Sequence, residues 1–187
     1  TGAIVSIGHS DASAEEARAL LDAGATCFTH LFNAMSPMLN RSPGVTGACI
    51  NSRAYVGIIC DGIHVADEMV GLAVRARPVQ DHMFVVSDAM STVGGSDHLT
   101  LYGDEIRLLN GRLVNAEGSL AGAHVTMAES LARLINVVGV DPAQALRMTS
   151  TVPARLMGLD RLSRVTGRDL SDLLLLGPDW TVTGTAA

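Results

Sequence analysis

Four apolar runs, rich in β-branched residues, punctuate the first half of the chain: residues 3–7, 26–29, 55–60 and 83–86. Their length and composition predict buried strands. Between them the apolar spacing changes to that of helices. Ser13 opens the first helix, with Glu16 three residues on as its capping-box partner; Ala17, Leu20 and Leu21 form the apolar face and Gly24 ends it. Residues 47–51 predict a short helical turn. Residues 67–77 predict a helix with Met69, Val70, Leu72 and Ala73 inward, stopped by Pro78. Strands alternating with helices predict parallel pairing through crossovers. The loop over residues 33–47 is long for a compact domain, which marks it as a functional loop or a plain connector.

The pattern changes near residue 98. Residues 99–102, 105–109 and 112–114 predict a meander turning at Gly103-Asp104 and Asn110-Gly111. Three helices follow, at 124–138, 142–149 and 153–157, with Asp141 and Thr151 as caps and Pro142 in a first helical position. A last strand is expected at 172–176, with a partner near 181–183. The division expected is 1–97, half of a barrel; 98–123, meander and loop; 124–160, closing helices; and 161–187, part of a small β-rich unit. The chain opens on Thr1 and enters a buried-looking strand at once, so it reads as the C-terminal part of something longer.

Composition narrows the function. Charged residues are 17% against 48% apolar, so a packed core is favoured over disorder. The net charge of −6, without a basic stripe, excludes nucleic acid as the expected partner. No apolar run reaches a membrane span. There is no lysine, which removes Schiff-base and phosphate-loop lysine chemistry. Cys27, Cys49 and Cys60 have no paired spacing and suit a reducing cytoplasm.

Each strand run exits into a polar or proton-active group: Gly8-His9-Ser10, then Thr29-His30-Leu31-Phe32-Asn33-Ala34-Met35, then Asp61-Gly62-Ile63-His64, then Val86-Ser87-Asp88-Ala89. The C-terminal edge of a parallel barrel gathers such residues in one ring. His9 and His30 could converge on one divalent ion, although either alone could be a hydrogen-bonded loop histidine. Asp88 beside such an ion could move a proton; its plainer role is a turn former or cap. Asp61 reads as a turn residue. His64, His82 and His98 taken singly read as structural. Arg41 could meet a phosphate or be a solvated loop charge. The Leu120-Ala121-Gly122 turn lets backbone approach a ligand.

Taken in order, these stretches resemble the N-acetylglucosamine-6-phosphate deacetylases of the amidohydrolase superfamily. Arg-Met-Thr-Ser-Thr-Val-Pro-Ala-Arg at 147–155 resembles that family's closing helices. The resemblance implies an α/β fold, part of a (β/α)₈ barrel with part of a β-rich accessory domain. It implies His9 and His30 as metal ligands and Asp88 as catalytic acid/base. Asn33, Ala34, Arg41, His64, Leu120, Ala121 and Gly122 would contact substrate. The cofactor would be a divalent metal, zinc first, with iron, cobalt or manganese admitted by the same donors. The substrate would be an amino-sugar phosphate and the assembly a cytoplasmic homodimer. The family's glutamate ligand lies on an earlier strand, outside this chain. An amidohydrolase for another amide, and a non-catalytic sugar-phosphate-binding domain, are the competing expectations. His124 stands where a small residue is expected.

Overall fold

The computed structural model describes residues 2–187. Its first half is a parallel sheet in the order β1 (Ser6–Ile7), β2 (Cys27–Phe28), β3 (Tyr55–Ile58), β4 (Met83–Val85). The register runs Ile7 to Phe28, Phe28 to Val56 and Val56 to Met83. All four strands therefore end on the same edge, as the alternation with helices predicts.

Helix α1 (Ala14–Asp22) starts as expected. The Ser13 hydroxyl accepts from the Glu16 N–H, and the Glu16 carboxylate accepts from the Ser13 N–H at 2.8 Å. Helix α2 (Gly44–Asn51) is longer than the predicted turn and buried on every side from Gly44 to Ile50. Apolar all round, it lacks the one-sided pattern that would have announced it. Helix α3 (Asp67–Ala76) buries Val70, Gly71, Ala73 and Val74. Leu72 is exposed there, and so is Leu20 on α1, against the expected inward faces. The first strand is shorter than predicted because β1 is the sheet's edge. Ile4 and Val5 stay exposed, and Val5, Leu20 and Ala25 line an open trough of about 440 Å³ beside it.

Arg77 ends α3 and is buried. Its guanidinium donates to the carbonyls of Cys49 and Ala54, at and just beyond the C-terminus of α2. A cation there complements the helix dipole and satisfies carbonyls left without helical partners. Burial lowers the basicity of this guanidinium.

The second half begins with the antiparallel meander β5 (His98–Leu101), β6 (Asp104–Leu109), β7 (Arg112–Val114). Leu101 pairs with Asp104, so the first turn is Tyr102-Gly103, one residue earlier than predicted. Both turns have two successive positive φ values, at Tyr102-Gly103 and Asn110-Gly111, the geometry that matches strand twist in a two-residue hairpin. Helix α4 (Met127–Asn136) begins later than expected, because Thr126 and Glu129 form its capping box. Asp141 caps α5 (Pro142–Leu146). The chain then widens into a π turn, Arg147–Thr151, and continues as α6 (Val152–Leu156). Thr151 is helical, with φ −66° and ψ −46°, and caps nothing. Pro153 explains the widening: it lacks an N–H and its ring would meet the Thr149 carbonyl in a regular α-helix. Strands β8 (Leu174–Leu176) and β9 (Val182–Thr185) pair antiparallel with an irregularity at Leu175/Leu176.

The main core lies between the parallel sheet and the helices: Phe28, Val56, Ile58, Met83 and Val85 pack with Leu131, Leu134 and Met148. Among the described residues no helix is long and apolar enough to cross a membrane. Ser130 on α4 is fully buried, and its hydroxyl has no hydrogen-bond partner among the described residues. An unmade bond of this kind costs about 1 kcal/mol or more. Ser130→Ala should therefore raise the melting temperature by about 2–4 °C. A thermal melt checks this, and a lower midpoint would mean the hydroxyl finds a partner in solution.

Candidate active site

The common C-terminal edge of β1–β4 carries the residues singled out by sequence. His9 follows β1, His30 follows β2, Asp61 and His64 follow β3, and Asp88 follows β4. His9, His30 and Asp88 all have left-handed backbones, with φ of 46°, 24° and 52°. Non-glycine residues adopt this region at a cost, and such strain gathers at functional sites. Phe32 and Ala34, at 79° and 47°, continue the same tight path.

The His9 and His30 rings meet edge to face, centroids 4.7 Å apart and planes at 68°. Their Nε2 atoms are 2.9 Å apart. Two nitrogens each about 2.0–2.1 Å from one ion lie about 3 Å from each other, so this spacing fits shared ligation. His30 is buried, and its Nδ1 has no protein partner among the described residues. No third His, Cys, Asp or Glu joins the pair closely enough to complete a metal cluster among those residues.

Backbone contacts hold the two exits together. Gly8 is required beside Thr29: a Cβ at Gly8 would lie 2.6 Å from the Thr29 Cβ. Ser10 N–H donates to the Ala34 carbonyl at 2.9 Å, and Ser36 N–H to the Ser10 carbonyl at 3.1 Å. The Ser36 hydroxyl donates to the Ala12 carbonyl and accepts from the Val45 N–H, tying both loops to the start of α2. His9, Ser10, Asp11, Ala34, Met35 and Ser36 line an open depression of about 360 Å³.

The fourth exit is laced to the expected substrate turn. Ala123 N–H donates to the Asp88 carbonyl at 2.8 Å, and Met90 N–H to the Ala123 carbonyl at 3.0 Å. Gly122, at φ 76°, passes so close to Met90 that a Cβ would lie 2.5 Å from its Cγ. Ala121 N–H bonds the Leu113 carbonyl, and Leu120 is exposed. The Asp88 side chain is exposed. Asn33 turns back on its own loop, its amide 3.4 Å from the Leu31 carbonyl. Arg41 is exposed on the loop after it and forms no ion pair among the described residues. The structure thus brings His9 to His30 and Asp88 to Gly122; it shows no contact drawing Arg41 or Asn33 to either pair.

At the third exit Asp61 does more than shape a turn. Asp61 Oδ1 accepts from the N–H groups of Ile63 and His64, both at 2.9 Å, which is the expected turn. Its Oδ2 also meets His64 Nδ1 at 2.6 Å, and both side chains are more than nine-tenths buried. Bonding to Asp61 raises the His64 pKa against the opposing effect of burial, with Asp88 adding to the rise. Burial works to raise Asp61, but the hydrogen bonds from His64 and Ile63 prevail and lower it. The spacing Asp-x-x-His was the available signal. Behind this loop, Arg133 forms a two-pronged bond with Asp67, 2.7 Å at each prong, and presses on Gly62. His124 bonds the buried Thr92 hydroxyl at 2.9 Å, joining the glycine-rich loop after β4 to the segment before α4. His82 stacks on Tyr55 and bonds the Arg53 carbonyl.

No family model matches the chain. Named relatives do. The N-acetylglucosamine-6-phosphate deacetylase of Haemophilus influenzae is 38% identical over 98% of this chain and 49% of its own length. A candidate N-acetylgalactosamine-6-phosphate deacetylase of Escherichia coli K12 is 32% identical over 70% of this chain, which covers 78% of that protein. The crystal structure of the Pasteurella multocida N-acetylglucosamine-6-phosphate deacetylase superposes with a TM-score of 0.92 at 35% identity, over 98% of this chain and 49% of that one. An aspartate-to-alanine variant of the Mycobacterium smegmatis enzyme, solved with N-acetyl-D-glucosamine 6-phosphate, gives 0.88 at 31% identity over 98% and 50%. Sequence and fold thus liken the molecule to a class of proteins named as deacetylases of amino-sugar phosphates. The chain belongs to the N-acetylglucosamine-6-phosphate deacetylase family. It spans about half the length of the Haemophilus influenzae relative.

Proposed function

We propose that this chain carries the catalytic half of a metal-dependent deacetylase that converts N-acetylglucosamine 6-phosphate to glucosamine 6-phosphate and acetate. The observation that carries the reading is the His9–His30 pair, Nε2 facing Nε2 at 2.9 Å on strained backbone at adjacent strand ends. The four parallel strands are read as half of a barrel over residues 1–97. The meander and turn, 98–123, flank its mouth; the helices of 124–160 close it; and 161–187 belong to a small β unit. The assembly would be a cytoplasmic homodimer.

The donors fit a divalent ion, zinc first, at two positions; a carboxylate from outside this chain would supply another. Bound there, such an ion would acidify water and polarise the acetyl carbonyl. The remaining work falls to side chains. Asp88, exposed at its strand end, takes a proton from the attacking water. It then delivers that proton to the amide nitrogen as the C–N bond breaks, so that a neutral amine departs. Gly122 and its neighbours give the sugar a backbone wall, His64 offers a donor, and Asn33, Ala34 and Arg41 meet the phosphate.

The test is acetate release from N-acetylglucosamine 6-phosphate by a full-length protein containing this segment. Chelation should stop the release, added zinc should restore it, and His30→Ala should neither release acetate nor retain stoichiometric metal. Turnover that survives both chelation and His30→Ala would overturn the reading. Running N-acetylgalactosamine 6-phosphate in parallel decides between the two sugars named among the relatives.

A further inference from the structure

Asp61 does two separable things. Oδ1 accepts two backbone N–H groups and shapes the turn; Oδ2 accepts from the imidazole three residues on. A turn needs only the first. The second oxygen, more than nine-tenths buried with its histidine, has no turn to support. We propose that Asp61 is a positioning residue that holds His64 as an Nδ1–H donor and as a cation, so that His64 presents a charged Nε2–H to an anionic oxygen of the substrate.

The physical reason is the acceptor-only character of an ionised carboxylate. At 2.6 Å it demands a hydrogen on Nδ1. Neutral imidazole would then keep Nε2 as a lone pair, suited to a metal or a donor. Protonated imidazole offers Nε2–H to an acceptor instead. The surroundings decide between the two. The charged groups facing the pair are Asp88 from the exit of β4, and Arg133, which lies near Asp61 but is itself engaged by Asp67. Two carboxylates facing one imidazole favour the cation. Gly62, at φ 72° under the Arg133 guanidinium, fixes the loop that carries both partners.

The pH consequence has a definite sign. The His64 value is raised above its ordinary 6.5, so its stabilisation is complete below 6.5 and is lost as pH rises through the folded value. The Asp61 value is lowered below 3.8, so its contribution holds above 3.8 and is lost as pH falls through the folded value. The pair is intact between those limits.

The substrate half of this inference rests on the deacetylase reading; the state of the ring does not. The experiment is therefore nitrogen-resolved NMR of the histidines in this chain, titrated with pH. Wild type should show His64 with Nδ1 protonated throughout and a midpoint above the ordinary value. Asp61→Asn keeps an oxygen for the two turn N–H groups but turns an amide N–H toward Nδ1. It should lower the midpoint and move the neutral proton to Nε2. Asp61→Glu, which retains the charge, should recover part of the midpoint. An unchanged tautomer and midpoint in Asp61→Asn would reduce Asp61 to a turn former. A wild-type midpoint at or below the ordinary value would overturn the inference even if the variant failed to fold. In a full-length enzyme, Asp61→Asn should raise KM for the sugar phosphate more than it lowers kcat and shift the alkaline limb of kcat/KM toward acid. Loss of acetate release in wild type with the NMR result intact would sink the deacetylase reading alone.

Discussion

Asp88→Asn in a full-length enzyme containing this segment should lower kcat for acetate release by about 10²–10⁴-fold, the range that a positioned acid/base contributes. Metal content and melting temperature should stay near wild type. The substitution is well placed to separate chemistry from folding. Asp88 sits at φ 52°, a conformation that asparagine tolerates as readily as aspartate. The contacts that hold this exit use backbone: the Asp88 carbonyl accepts the Ala123 N–H. None of those contacts uses the exposed carboxylate, so replacing it with an amide leaves the loop in place and removes the capacity to take and return a proton, together with the charge that faces His64. Kinetics and metal analysis on one preparation check the expectation. A change in kcat under tenfold would assign the proton transfer to another group.

Gly62→Ala should lower stability by about 2–3 kcal/mol. The left-handed backbone at 72° alone accounts for about 1–2 kcal/mol once a Cβ is present. The new Cβ would also stand 2.0 Å from the Arg133 Nη2 and 2.2 Å from its Cζ. A loose arginine would swing aside, but this one is held by both Asp67 oxygens at 2.7 Å. Displacing it breaks a partly exposed ion pair worth up to about 1 kcal/mol. For a chain of this size the melting temperature should fall by about 5–10 °C. In an Arg133→Ala background the same substitution should cost only the backbone part, a non-additivity of about 1 kcal/mol. Fully additive melts would show that the guanidinium is not pressed on the loop. His64 should lose its fixed ring orientation in the same variant, since Asp61 and His64 ride on that turn.

Pattern and structure agree in some elements and part in others, for physical reasons. The strand ends were legible because a buried parallel strand needs a continuous apolar run, and the residue that follows it must be polar enough to meet solvent or a ligand. That His9 and His30 leave their strands toward the same edge followed from that; that their rings meet did not. Strand length was less legible at β1, where Ile4 and Val5 are exposed on the sheet's edge. Helix α2 carried no amphipathic signal, being buried on all sides. The start of α4 turned on a capping box at Thr126 and Glu129, and the join of α5 to α6 on how the chain accommodates Pro153. Local sequence held both signals, but only the assembled helices show which of several polar residues caps and whether a proline breaks or merely widens.

At the site, residue type and spacing by themselves determined that imidazole and carboxylate leave successive strands toward one edge. That follows from the short-range rule of alternation, which the chain cannot violate without exposing its core. The tertiary structure decided everything set by distance across the chain: that two Nε2 atoms face at 2.9 Å, that Asp61 is a partner of His64 and not only a turn, and that Arg133 braces Gly62 from a remote helix. Asp67 and Arg133 lie sixty-six residues apart. Such contacts depend on how whole elements pack, and packing energy leaves no periodic mark in the sequence that a reader could follow.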